Sequence, residues 1–382
     1  MIKNTEIRFL LVASMAESLI NFRGPFILAL QARGLHVHVA APKLPKISKI
    51  RLELEARGVV VHEVAMQRTG INPFADLFCL WRLWRLMRLI RPNYVLSYTI
   101  KPVIYGSIAA WFSGVMRHYA MIEGLGFVFT HQINELSFLR RTLKSAVKTM
   151  YKLALSKAKR VIFLNPDDLA EFVSYGLLSK EKTYLLGGIG ADLNKLVPSP
   201  SKTSPVTFII IARLLREKGI LEFAEAARLI KQLNPETRFI LLGDIDPNPG
   251  SLRRSLVQTW VNQGLLEWPG HVSVAPWLIQ ASVYVLPSYR EGVPMSTQEA
   301  MAMGLAVITT DVPGCRETVV EGINGFLVPA RDAQALSEAM QKFIDKPNLI
   351  VEMGRESRRL AEERFDVHKV NRRLIDFITD IN

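Results

Sequence analysis

The strongest constraint on the fold is a pattern that occurs twice. Short apolar runs of strand length alternate with stretches whose apolar positions have helical spacing. In the first half the runs are 7–13, 36–40 and 59–64, with helical spacing over Phe26 to Arg33 and Ile50 to Arg57 between them. Later runs, one at Tyr94 to Ser97, another ending at Gly124 and a third at Val161 to Asn165, continue the series. Gly34 and Gly58 stand where a glycine just past a helix end belongs. A second series begins at Thr207 to Arg213 and continues through Arg238 to Gly243 and Ser282 to Leu286. Such βα alternation predicts mainly parallel sheets wrapped by helices. The Pro/Ser-rich stretch Val197 to Pro205 reads as a linker between two domains, and 382 residues suffice for two cores.

Charge is unevenly placed. Residues 1–198 carry 27 Lys and Arg against 13 Asp and Glu, a net +14, and the rest carry 21 against 22, a net −1. The first half therefore faces something acidic: nucleic acid, an anionic membrane or a phosphorylated substrate. No helix-turn-helix, zinc or RNP motif supports nucleic acid, so it is not an expected partner. Cys79 and Cys315 cannot form a disulfide framework and predict a reducing compartment. The longest uncharged apolar stretch, Val103 to Met116, is shorter than the roughly 20 residues that span a bilayer. In Trp81 to Arg91, the residues Arg82, Arg85, Arg88 and Arg91 fall three apart on one helical stripe with Trp81 and Trp84 nearby. That helix is either a solvated face or one lying in a membrane interface. Phe138 to Lys152 repeats the basic pattern, ending near Lys157, Lys159 and Arg160.

The most specific words lie in the second half. Ser282 to Leu286 reads as a buried strand, and the chain then turns through Gly292 and Pro294 into a helix. Its polar groups thus gather at a strand's carboxyl end, where open α/β sheets bind ligands. Ser296 with Glu299 reads as a capping box. The same helix start presents free N–H groups to a phosphate, and Glu291 and Glu299 can accept bonds from sugar hydroxyls. Arg213 and Lys218, at a strand end and a helix start, are either flanking solubility charges or a diphosphate clamp.

Glu291, seven intervening residues and Glu299 resembles the Glu-x7-Glu signature of retaining glycosyltransferases of family four. The flanking words agree in order: Pro287-Ser288, Glu299-Ala300-Met301-Ala302-x-Gly304, Thr310-Asp311-Val312-Pro313-Gly314 and Asn324-Gly325-Phe326-Leu327-Val328-Pro329. The resemblance implies an α/β fold of two Rossmann-like domains facing a cleft, the GT-B architecture. It divides the chain into an acceptor-binding domain 1–195, a linker 196–206, a nucleotide-sugar domain 207–363 and a terminal helix 364–382 packing back on the first domain. It implies transfer with retention, in which Arg213 and Lys218 bind the donor diphosphate and Glu291 meets the sugar hydroxyls. Glu299 would meet the ribose, and the N–H groups of Gly292, Val293, Met295 and Ser296, with Pro294 shaping the turn between them, the phosphate side, with Gly270 at the nucleobase turn. No metal or other cofactor is expected, because these cations and N–H groups can stabilise the leaving diphosphate.

Ser97 to Gly106 and Glu123 to Phe127 resemble a bacterial subgroup that adds amino sugars to polyprenyl-diphosphate-linked glycans. That implies a UDP-sugar donor, a lipid-linked acceptor and a cytoplasmic protein held peripherally on the inner face of the membrane. Lys101, Ser14, Arg23, Glu123 and Gly124 would stand on the acceptor side. The first loop lacks the Gly-Gly turn many family members carry. A nucleotide-sugar epimerase of the same fold, or a basic nucleic-acid-binding protein, is the alternative; His118 and His271 read as structural.

Overall fold

A computed structural model describes residues 6–67, 72–124, 138–248 and 250–380. The chain divides into two compact units, residues 1–186 with 371–382, and residues 187–370. In the first, β1 (Arg8–Val12), β2 (His36–Ala41), β3 (Val60–Glu63), β4 (Tyr94–Tyr98), β5 (His118–Ile122), β6 (Arg160–Phe163) and β7 (Thr183–Leu185) form one sheet in the order β3-β2-β1-β4-β5-β6-β7. In the second, β8 (Thr207–Ile211), β9 (Arg238–Leu242), β10 (Glu267–Gly270), β11 (Val283–Leu286), β12 (Ala306–Thr310) and β13 (Gly325–Val328) run β10-β9-β8-β11-β12-β13. Every recorded strand pairing is parallel. β1 and β8 and their central neighbours are almost wholly apolar because helices cover both faces.

Each sheet reverses its strand order once, between β1 and β4 and between β8 and β11. There the connections leave for opposite faces, so the carboxyl ends of the two strands open into a crevice. At the second switch only Val283 with Phe208 and Tyr284 with Ile209 are in register. The strands separate beyond that point.

The expected helices are present at Gly24–Ala32 and Lys49–Ala56, followed by Gly34 and Gly58 with φ of 77° and 74°. The boundary between units differs from the Pro/Ser-rich stretch. Gly190 donates its N–H to Gln298 Oε1 at 2.9 Å, and Ala191 exchanges backbone bonds with Phe365 and Val367 at 2.7 and 3.0 Å, so the second unit begins at Gly187. Composition signals a flexible segment, whereas these bonds fix where packing changes hands.

The terminal helix Val367–Asp380 belongs to the first unit from Asn371 on. There Tyr119 donates to the Ile378 carbonyl at 2.8 Å, and Phe377 stacks on Tyr184 with ring centroids 3.8 Å apart. Leu374, Ile375 and Ile378 are at most 1% exposed. Leu374→Ala should therefore cost about 2–5 kcal/mol of stability by leaving a cavity. Denaturant unfolding checks this, and an unchanged midpoint would show that the helix is not part of the first core.

Candidate active site

The second switch point gathers the residues singled out in the sequence. Arg213 lies two residues beyond β8. Lys218 closes a 3-10 turn, Arg216–Lys218, before the helix Ile220–Leu233 instead of opening that helix as expected. The turn is needed because Gly219, at φ 72°, lies against the chain after β11: a Cβ there would stand 2.1 Å from the Pro287 carbonyl oxygen. This close approach presses the β8 loop onto the β11 loop. It brings Lys218 Nζ to 2.5 Å from Glu291 Oε1.

The Glu291 carboxylate is held from several sides. Ser288 Oγ lies 2.8 Å from Glu291 Oε1 and 3.0 Å from the Glu217 carbonyl oxygen, while Tyr289 N donates to that same carbonyl at 2.8 Å. Below it, Glu291 N donates to Pro313 O at 3.1 Å. Gly314 packs so close that a Cβ would stand 2.2 Å from the Glu291 carbonyl oxygen. The Thr310 hydroxyl donates to the Ser288 carbonyl. The Thr-Asp-Val-Pro-Gly word is thus the floor of the Glu291 loop. Cys315, next in line, is fully buried, and burial pushes its thiol up to about 12.

The helix Met295–Ala302 begins differently from expectation. Its N-cap is Pro294, in extended conformation and with no side-chain cap, so Ser296 and Glu299 do not form a capping box. Ser296 sits inside the first turn, and its hydroxyl accepts from Tyr284 at 2.6 Å. Because the helix already begins at Met295, Ser296 lies inside it and not at the cap position, and its hydroxyl serves the buried Tyr284. A helix's first N–H groups have no intrahelical acceptor and point out of its start. Here that start lies just past Gly292 and Val293. Gln298, fully buried, donates to the Val293 carbonyl at 3.1 Å while its Oε1 takes Gly190 N–H.

Glu299 is on the same short helix, and burial pushes its carboxyl up to about 7. Arg213 is engaged with Asp246, Nη1 to Oδ2 2.9 Å, and is half-exposed. Gly270 ends β10 with φ 83°; its carbonyl accepts from Gly243 N at 2.9 Å, and Trp268 Nε1 donates to Gly243 O at 2.8 Å. Ser288, Gln298 and Thr310 are the residues that sequence reasoning passed over, although all three lie inside or beside the quoted words.

In the first unit the expected acceptor-side residues meet at the other switch point. Ser14, just past β1, bonds Thr99 through their hydroxyls at 2.8 Å. Thr99 follows β4 at φ 67° and ψ 163°, a strained conformation of the kind concentrated at functional sites. Arg23, 1% exposed, pairs with Glu123 just past β5 and lies over the Tyr98 ring at 4.7 Å. Burial pushes the Glu123 carboxyl up, with Arg23 opposing it. Gly124 follows at φ 143°. Lys101, in contrast, is already paired with Asp76, Nζ to Oδ1 2.7 Å, with both side chains mostly buried. Leu125, Gly126 and Phe127 lie outside the described residues. His118 is buried beneath Ser107, and burial alone lowers its pKa to about 3, as a structural histidine requires. Among the described residues no group of three metal-ligating side chains occurs.

Two variants test this geometry. Lys218→Ala leaves the Glu291 carboxylate partly buried without its cation, and turnover should fall about 10²-fold or more, as when one charge-stabilising donor is removed. Near-normal steady-state kinetics would remove Lys218 from the site. For Glu299, the folded pKa of about 7 stands above the ordinary 4.5. The folded state holds that proton more tightly, so stability falls as pH rises from about 4.5 to 7. Glu299→Gln should lose that slope in denaturant unfolding, and parallel curves for both proteins would overturn it.

Comparison with known proteins finds glycosyltransferases along most of the chain. The model described as "Glycosyl transferase 4-like" matches residues 8–165, and that described as "Glycosyl transferases group 1" matches 205–346. An N,N'-diacetylbacillosaminyl-diphospho-undecaprenol alpha-1,3-N-acetylgalactosaminyltransferase of Campylobacter jejuni is 28% identical over 88% of this chain and 89% of its own length. A UDP-Gal:alpha-D-GlcNAc-diphosphoundecaprenol alpha-1,3-galactosyltransferase of Escherichia coli is 27% identical over 76% of each. Sucrose-phosphate synthase from Thermosynechococcus elongatus superposes with a TM-score of 0.80 over 98% of this chain and 99% of its own, at 19% identity, and shares the GT-B fold. With a glycosyltransferase model matched in each of its two units and the same architecture in the solved structure, the chain is a retaining glycosyltransferase of the GT-B fold.

Proposed function

We propose that this glycosyltransferase moves an N-acetylhexosamine from a UDP-sugar to a polyprenyl-diphosphate-linked glycan during surface polysaccharide or glycan assembly. The Lys218–Glu291 pair beside the Met295–Ala302 helix start carries the reading. A carboxylate near a donor diphosphate would repel it, and Lys218 cancels that charge while staying able to bond a phosphoryl oxygen. As the glycosidic bond breaks, negative charge grows on the β-phosphate. Lys218, Arg213 and the N–H groups at residues 295 and 296 are suited to stabilise it, so no metal ion is required. Arg213 would exchange its exposed contact with Asp246 for the diphosphate. Glu291 would orient the sugar hydroxyls and Glu299 the ribose.

The acceptor would lie toward Ser14, Thr99 and the Arg23–Glu123 pair, with Lys101 leaving Asp76 to meet its diphosphate. Both relatives above act, by their names, on undecaprenyl-diphosphate-linked substrates, which supports this acceptor class. Transfer of label from UDP-N-acetylhexosamine to a short-chain prenyl-diphosphate sugar tests the reading. Hydrolysis or epimerisation of donor without an acceptor product would refute it.

The helix Pro73–Ile90 supports action at a membrane surface. It turns Cys79, Leu83, Met87 and Ile90 inward and leaves Phe74, Leu77, Phe78, Trp81, Trp84 and Leu89 exposed beside Arg82, Arg85 and Arg88. Arg82 lies over Phe78 and Arg85 over Trp81, at 4.9 and 5.6 Å. The second basic segment forms the helix Phe138–Lys157; the side chains of 138–144 and of Ala146 are outside the described residues. Among the described residues no helix is long and apolar enough to cross a membrane. Peripheral attachment to the inner face should therefore weaken with added salt, because charges screen beyond about 8 Å at physiological ionic strength. Vesicle sedimentation measures this, and equal binding to neutral and anionic vesicles would count against it.

A last expectation concerns UDP. Ribose hydroxyls donate more strongly to the ionised than to the protonated carboxyl of Glu299, so binding should release a proton below about pH 7 and tighten as pH rises toward that value. Calorimetry in buffers of different ionisation enthalpy would detect the proton. No proton release, with normal affinity, would place Glu299 away from the nucleotide.

A further inference from the structure

The amino edge of the first sheet, opposite Ser14 and Glu123, holds a feature that sugar transfer does not use. Between the end of the helix Pro73–Ile90 and the turn after the helix Ile100–Phe112 lies a cavity of about 470 Å³, lined by Arg88, Arg91, Asn93, Ser113, Met116 and Arg117 among others. No lining residue is acidic, and among the described residues no carboxylate pairs with any of the three arginines. Arg117 is pinned by donating to the Tyr94 hydroxyl at 2.7 Å, with its guanidinium over that ring. Lys159 has its pKa lowered by burial and then by Arg117 and Arg160, so the local field is positive.

The ordinary explanation for arginines here is that they satisfy helix-end carbonyls. Four of those carbonyls are taken by other groups. Met87 O accepts from Arg91 N, Ile90 O from Arg8 Nη1, Ala109 O from Ser113 N and Ala110 O from Val115 N, at 2.8 to 3.0 Å. The Arg88 and Arg91 guanidinium forks are left for an anion, with Arg117 adding charge from its place on Tyr94, and their geometry suits two phosphate oxygens. Around the cavity, Leu89, Phe112 and Met116 are 77%, 59% and 87% exposed, and Trp111 stands out beneath Lys157 at 4.2 Å. A soluble phosphate has no use for such an apolar rim, whereas acyl chains do.

We propose that the Arg88–Arg91–Arg117 cavity is a headgroup site that seats the phosphate of an anionic phospholipid while Leu89, Phe112 and Met116 enter the adjoining acyl region. The proposal rests on the membrane reading above and gives it one defined lipid contact. It also separates lipid binding from the acceptor side, at the opposite edge of the sheet.

The test uses the full chain and vesicles of phosphatidylcholine with or without phosphatidylglycerol. The double variant Arg88→Gln, Arg91→Gln should weaken binding to phosphatidylglycerol vesicles about 30-fold or more. Lys46→Gln with Lys49→Gln, the same change in net charge at exposed positions elsewhere on this unit, should have little effect. Met116→Asp should weaken vesicle binding as well, and UDP calorimetry confirms that every variant is folded. Equal losses in the two double variants would overturn the cavity while leaving membrane attraction standing. No binding of the unaltered protein would overturn both. Stabilisation by inorganic phosphate that vanishes in the Arg88/Arg91 variant, with vesicle binding unaffected, would assign the cavity to a soluble anion and overturn the lipid.

Discussion

The reversal of strand order in each parallel sheet is the constraint on which the rest depends. Parallel strands require long crossovers of one hand, so covering both faces of a sheet forces a place where successive connections part. At β8 and β11 the parting is made acute by a register of only two residue pairs. The loops after these strands are consequently free to fold toward each other over the sheet edge. Gly219 against Pro287 and Gly314 against Glu291 are the contacts that close them, and neither position has room for a side chain.

That packing holds a carboxylate in place at the crevice. Glu291 alone, partly withdrawn from water, would be costly and would repel a nucleotide. Lys218, Ser288 and the floor made by residues 310–314 make it affordable and fix its direction. Glu299 has the opposite environment, burial without a matching cation among its recorded influences, and its proton is held to near neutrality. Two glutamates on one turn-and-helix are thus held differently, Glu291 by a cation and a hydroxyl and Glu299 by burial.

The first unit repeats the principle with different chemistry. Its switch point is lined by the bonded Ser14 and Thr99 and by a buried Arg23–Glu123 pair, where the second unit has glycine turns and a helix start. Its opposite edge and the exposed side of the helix Pro73–Ile90 hold arginines and large apolar residues together.

The sequence by itself determined the two βα series, because periodicity follows directly from which faces must be buried. It also marked Glu291, Glu299, Arg213 and Lys218 as neighbours of strand ends and helix starts, because turn residues and the apolar runs around them are read locally. It misread the cap of the Met295–Ala302 helix: Ser296 has the right chemistry for a cap, and nothing local announces that Tyr284, twelve positions back, takes its hydroxyl. It placed the change of unit in a Pro/Ser-rich stretch, since composition reports flexibility and not the bonds from Gly190 and Ala191 to distant residues. The Lys218–Glu291 pair, the Asp76 partner of Lys101 and the arginine cavity all join residues far apart in the chain or on separate elements. Only tertiary structure decided them, because such contacts depend on how strands and loops are brought together and leave no periodic trace in the chain.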